Sequence, residues 1–64
     1  MISIYYVNYA NEPISREKFL KCCTKEKLKE YLSWEKKIFR DPYNNDIKWE
    51  FIVGIYKAEV RISD

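Results

Sequence analysis

Chemistry in this chain would have to come from a short set of residues. Cys22 and Cys23 are its two thiols, and they are adjacent. A cysteine nucleophile needs a base or a strongly cationic setting to hold the thiolate. Lys21 and Lys25 lie nearby, but the sequence has no histidine, the commonest general base and metal ligand. Small buried cysteines in a core are the plainer reading. Neighbouring cysteines cannot staple a loop, and no Cys-x-x-Cys spacing supports a structural zinc site. Asp41, Asn44, Asn45 and Asp46 could offer oxygen ligands to a cation. That run matches no calcium loop with its closing glutamate, and it reads as a turn. With one glycine, a Gly-rich phosphate loop is ruled out. The expectation is no catalytic residue, no metal site and no cofactor, with an enzyme the least favoured class.

Glu35 is the odd residue of a helical stretch. On the wheel it falls between Tyr31 and Leu28, inside an apolar stripe, and a buried carboxylate must be paired or neutralised. The plain reading is a rim position where it bonds a tyrosine hydroxyl or a lysine ammonium. The functional reading is an acidic contact for a partner.

The aromatic surplus is the better functional clue. The chain holds six Tyr, three Phe and two Trp in 64 residues. A core this small cannot hide them all, and large rings at an exposed patch suggest a protein interface.

The elements that must position these groups are legible from periodicity. From Ile47 to Ile55 the odd positions are apolar: Ile47, Trp49, Phe51, Val53 and Ile55. From Tyr56 to Ile62 the even positions are apolar: Tyr56, Ala58, Val60 and Ile62. A two-residue turn at Gly54-Ile55 resolves the change of phase, with Gly first as a type II′ turn requires. It pairs Val53 with Tyr56, Phe51 with Ala58, Trp49 with Val60 and Ile47 with Ile62, and it places Trp49 and Phe51 beneath a helix. Ile2 to Tyr9 reads as a strand, β-branched and aromatic, with Ile2, Ile4 and Tyr6 on one face and Tyr5, Val7 and Tyr9 on the other.

Thr24 to about Arg40 reads as the main helix, capped by Thr24, with Leu28, Leu32 and Phe39 within about 40° of each other at roughly 100° per residue. Tyr31, Trp34 and Ile38 widen that stripe on one side. Asp41-Pro42 and the Asn44-Asn45-Asp46 run end it. Between the Asn11-Glu12-Pro13 turn and Thr24, two readings stay open. Ser15 caps a short helix over Arg16 to Cys23, or Lys18 to Cys23 pairs back on the first strand. The pattern leans to the strand.

The result is one α+β domain over residues 1–64. One main helix packs on a three- to four-stranded, mostly antiparallel sheet, in the order β-β(or short α)-α-β-β with a C-terminal hairpin. The sheet face turned from the helix would carry Tyr5, Val7, Tyr9 and Ile52 with Lys48, Lys57 and Arg61, and also Glu50 and Glu59.

Charge adds a second clue. Residues 16 to 40 hold nine bases against four acids, a balance of +5, and the remainder holds three against six, a balance of −3. An ordinary solvated helix surface explains that, and so does an acidic partner. Free thiols without a disulfide framework point to a reducing, cytoplasmic setting. The first residues carry neither a basic leader nor a long apolar core, and no run is long enough to span a bilayer.

Small size, a composition rich in Lys, Ile, Asn and Tyr, and the lack of catalytic apparatus resemble small accessory proteins of bacteriophages and mobile elements. That resemblance implies a non-enzymatic module that binds a host protein as an inhibitor or modulator. The alternative is a nucleic-acid-binding accessory factor using the basic helix and the aromatic sheet face. A third reading is a homodimer. Glu50 and Glu59 oppose phosphate on the sheet face and favour a protein. Candidate contact residues are Tyr5 and Tyr9 on the sheet, Trp34, Glu35, Lys36, Lys37 and Arg40 on the helix, and Tyr43 in the turn after it.

Overall fold

The computed structural model describes residues 1–63. Strand β1 spans Ile2–Asn8, helix α1 Arg16–Lys21, helix α2 Lys25–Arg40, strand β2 Glu50–Val53 and strand β3 Tyr56–Ile62. The sheet is antiparallel in the order β1-β3-β2. The C-terminal strand therefore lies in the middle, and the expected α+β architecture holds.

The hairpin turns at Gly54-Ile55 as the alternation predicts. Val53 faces Tyr56 and Phe51 faces Ala58. Gly54 has φ of 60°, and Ile55 is not in the positive-φ region, the pattern of a type II′ turn. The outer pairing departs from expectation. Val60 still donates to the Trp49 carbonyl at 2.8 Å, but β2 starts at Glu50 and Ile62 pairs with Ile2. Ile47 instead closes a turn by donating to the Asn44 carbonyl. The Asn-Asn-Asp segment, stabilised by the Asn44 side chain accepting from Asp46 N–H at 2.9 Å, holds the chain in turns that far.

The stretch after Pro13 is a helix, correcting the lean towards a strand. Ser15 caps α1 by accepting from Lys18 N–H at 3.0 Å. Helix geometry lets Phe19 be fully buried, with its ring 5.3 Å from Tyr6 and 5.1 Å from Tyr31. Lys18 to Cys23 does not pair with β1, and the chain meets β1 upstream of it instead. Ile14 donates to Tyr6 and Asn8 to Glu12, around a single bridge between Val7 and Pro13. Proline tolerates that position because a bridge residue there needs no N–H. The break near Thr24 is as expected: α1 ends at Lys21 with Cys22 as its C-cap, and Thr24 caps α2 by accepting from Lys27 N–H at 3.1 Å.

Helix α2 buries Tyr31, Trp34 and Ile38, not the Leu28-Leu32-Phe39 line. Leu32 is 40% and Phe39 55% exposed. Both sets sit at helical spacing, so periodicity alone does not choose between them. The choice falls to ring packing: Tyr31 meets Phe19, Trp34 and Phe51, at 5.1, 5.6 and 5.4 Å between centroids. The core is Phe19, Tyr31, Trp34 and Ile38 from the helices against Val53, Ala58 and Val60 from the sheet.

Candidate functional site

The sheet face turned from the helices has a charged half and an apolar half. β1 supplies Ser3, Tyr5 and Val7, β3 supplies Lys57, Glu59 and Arg61, and β2 supplies Glu50 and Ile52, as strand alternation and register require. In the charged half Lys57 bridges Glu50 at 3.7 Å and Glu59 at 3.5 Å. Arg61 bonds Glu59 at 2.7 Å and lays its guanidinium 4.2 Å from the centroid of the Tyr5 ring. The hydrogen bond from Arg61 holds the Glu59 carboxyl below its usual range, with burial opposing and Lys57 assisting. Two acids and two bases neutralise each other, so this face offers phosphate no positive field. Lys48, expected here, precedes β2 and lines a groove on the helix side.

The apolar half lies at the hairpin end. Tyr9, Ile52 and Ile55 border one shallow depression of about 200 Å³. Their exposures are 79%, 57% and 55%, and that of Tyr5, further along the face, is 48%. Val7 is the exception: it points the same way but is buried between Pro13 and Lys57. Strand alternation exposes Tyr5 and Ile52, while Tyr9, expected as the last residue of the first strand, lies in the turn just after β1. The sequence misses Ile55, which alternation assigns to the inner face but which the turn puts out in solvent.

The helix candidates divide. Trp34 is 8% exposed and its indole N–H donates to the Lys48 carbonyl at 2.8 Å, so it belongs to the core and not to an open contact surface. Trp49, expected beneath the helix, is instead 52% exposed. Trp34 and Phe51, with centroids 5.7 Å apart, fill the space under α2. Glu35 is engaged within the fold. Arg16 donates to it through Nε and Nη2 at 3.1 and 3.0 Å and Tyr31 at 2.9 Å, and the Tyr6 hydroxyl lies 3.5 Å from the oxygen that Tyr31 reaches. Partial burial pushes its pKa up, but the bonds from Arg16 and Tyr31 outweigh that and hold it below the usual carboxylate range. Burial drives the Tyr31 hydroxyl far up, aided by Tyr6 and Glu35. The plain reading of Glu35 therefore holds, with an arginine as the cation.

Lys36, Lys37 and Arg40 are exposed on α2, and no acid among the described residues lies within ion-pair distance of them. Lys37 and Arg40 join Lys29 and Lys48 around a cleft of about 770 Å³ between α2 and the loop that follows it, which Asp41 and Asp46 also line. Tyr43 is 77% exposed in that loop. Cys22 is exposed and Cys23 half-buried, both as free thiols. Burial pushes the Cys23 thiol up, the wrong direction for a nucleophile. Among the described residues no group of His, Cys, Asp and Glu is arranged to hold a metal ion, and no helix is long and apolar enough to cross a membrane.

Comparison with protein families, with curated protein sequences and with solved structures finds no match for this chain. Its fold and surface are the grounds on which function can be argued.

Proposed function

We propose that the chain is a non-enzymatic protein-binding module that acts by covering part of a target protein, as an inhibitor or modulator. The observation that carries this reading is the apolar patch of Tyr9, Ile52 and Ile55 at the hairpin end, beside a sheet face whose charges cancel. Exposed aromatic and aliphatic side chains gathered around one depression are the ingredients of an interface core. The neighbouring neutral salt-bridge network suits the polar rim of such an interface better than it suits a polyanion. The cytoplasmic setting inferred from the thiols is part of the same proposal.

The test is capture from nuclease-treated and untreated lysate by the immobilised protein, beside a Tyr9→Ala/Ile55→Ala variant of matched melting temperature. Nuclease-resistant capture of a defined protein, lost in the variant, supports the reading. Capture that disappears with nuclease favours a nucleic-acid partner instead.

A further inference from the structure

One edge of the sheet is open. The bond from Val60 N–H to the Trp49 carbonyl makes these two a hydrogen-bonded pair. Antiparallel pairs alternate between bonded and non-bonded. In the observed register Phe51 and Val53 therefore bond to β3, while Glu50 and Ile52 turn their N–H and C=O groups away from it. Among the described residues no main-chain bond beyond the strand ladder reaches these four groups. The opposite edge differs, because Glu12 and Ile14 close the far half of β1.

The open edge borders a groove. On the helix side a depression of about 580 Å³ lies between α2 and β2, with Trp34, Trp49 and Phe51 among its lining and Lys27 and Glu30 on the helix wall. It shares Glu30, Trp34 and Lys48 with the basic cleft, so the two run on into each other. Lys27 pairs with Glu30 at 3.5 Å. That leaves Lys29, Lys37, Arg40 and Lys48 against Asp41 and Asp46, while Glu50, which also lines the groove, pairs with Lys57 at 3.7 Å.

We infer that the β2 edge accepts, as an added strand, an extended segment of the target protein. The segment carries apolar side chains at alternate positions and carboxylates where it passes Lys48. This rests on the protein-binding reading and gives its mode and the chemistry of the partner. The four outward main-chain groups of Glu50 and Ile52 supply the ladder, as in strand addition generally. Alternate side chains of the added strand fall on the groove side beside Trp49 and Phe51, which gives the exposed indole of Trp49 a neighbour. The surplus of cations at the Lys48 end selects carboxylates. A second copy of this chain fits less well, since a two-fold interface sets the same cations against themselves.

The experiment selects binders from a random decapeptide library and titrates the strongest into isotope-labelled protein by NMR. The expected result is apolar residues at every second position with Asp or Glu at one end, and slowed amide exchange at Glu50 and Ile52. Glu50→Pro removes one outward N–H at the first residue of an edge strand, where proline is tolerated. It should weaken binding up to roughly tenfold, while Glu50→Gln keeps the donor and the affinity. A Lys37→Glu/Lys48→Glu variant should come to prefer peptides ending in lysine. Helically spaced or basic selected peptides, an empty selection, or unchanged binding in folded Glu50→Pro would overturn the inference. So would perturbation of Tyr9 and Ile55 with none at Glu50 and Ile52, although that outcome leaves the protein-binding reading standing. If capture from lysate also fails, both fall.

Discussion

Arg16 and Glu35 meet through two parallel hydrogen bonds of 3.1 and 3.0 Å, and that pair fastens α1 to α2. The contact joins residues nineteen apart in sequence. Its carboxylate end reaches inward, where Tyr31 donates to Glu35, and Tyr6 and Tyr31 lie 2.6 Å apart at their hydroxyls. With the Tyr31 proton directed at Glu35, Tyr6 donates to Tyr31. Four side chains from β1, α1 and α2 thus form one connected polar network, and no buried side-chain polar atom among the described residues lacks a partner.

Removing the acceptor at the centre of this network should destabilise the fold. Glu35→Ala takes the carboxylate from both Arg16 and the buried Tyr31 hydroxyl, which keeps only Tyr6 at 2.6 Å as a partner, at a cost of about 1–3 kcal/mol. Tyr31→Phe should cost less in the Glu35→Ala background than alone, because the bond to the carboxylate that it removes is already gone. Urea unfolding of the four proteins of the cycle measures this. Additive effects would show that the tyrosine and the carboxylate do not act together.

The same network fixes the direction of the pH dependence. The Glu35 carboxyl is held below its ordinary value of 4.5 in the folded state. Its contribution is therefore fully present above the unfolded value and is lost as pH falls through the folded one. Thermal melts from pH 7 downward should show stability declining below about pH 4.5. Glu35→Gln should flatten the part of that decline due to Glu35, leaving the part due to Glu59, which is depressed in the same sense. An unchanged acid limb in Glu35→Gln would remove Glu35 from the account.

Much of the fold was legible because strand alternation is a local signal. Gly54-Ile55 marks the hairpin, Thr24 caps α2, and both appear where expected. Three features depended on what meets what across the chain. The choice between the Tyr31-Trp34-Ile38 line and the Leu28-Leu32-Phe39 line was made by rings on α1 and β2. The helix over Arg16–Lys21 was obscured because Phe19-Leu20 and Cys22-Cys23 obey neither period, and only burial of Phe19 decides it. The location of Trp49 turned on whether β2 reached back to Ile47, which the Asn44-Asn45-Asp46 turns prevent. Of the candidate site, Tyr5 follows from alternation, whereas Tyr9 owes its exposure to the turn after β1. Trp34 and Glu35 could not be placed, since helical spacing shows a face but not its bonding partners.

Gly54 should resist substitution for a conformational reason and not for lack of space. A Cβ built there meets nothing within 4 Å, yet φ is +60°. Gly54→Val puts a β-branched residue in a region it rarely adopts, at a cost of about 1–3 kcal/mol. A denaturation midpoint equal to that of the parent would mean that the turn relaxes to another type without penalty.

The thiols should be dispensable. Cys22 is exposed, and Cys23 makes one weak bond, Sγ–H to the Phe19 carbonyl at 3.4 Å. A Cys22→Ser/Cys23→Ser variant should fold, with stability reduced by no more than about 1 kcal/mol because serine can keep that bond. Target capture should be the same with and without reductant. Loss of capture in a folded variant would assign the thiols a role that their surroundings do not suggest.

The sharpest separation of partner classes compares two surfaces of the same fold. Tyr5 and Tyr9 are exposed at 48% and 79% on the sheet side, while Lys36, Lys37 and Arg40 form a cationic strip on α2. A protein partner seated on the sheet face should depend on a few anchors. Tyr9→Ala should then weaken capture by about 2 kcal/mol. Tyr5→Ala should weaken it less, because Arg61 already covers one side of that ring. The Lys36→Ala/Lys37→Ala/Arg40→Ala change should weaken capture less than Tyr9→Ala, by the modest loss of carboxylate contacts at the cleft, and moderate salt should have a correspondingly small effect. A nucleic-acid partner reverses each of these outcomes. The helix change would dominate, and affinity would fall steeply with salt, because each phosphate contact releases counterions. Titration of the parent and the three variants with the captured partner, and separately with single- and double-stranded DNA and RNA, at two salt concentrations resolves the question. Tight nucleic-acid binding at physiological salt that collapses with the helix change would sink the protein-binding reading, whatever the tyrosines do.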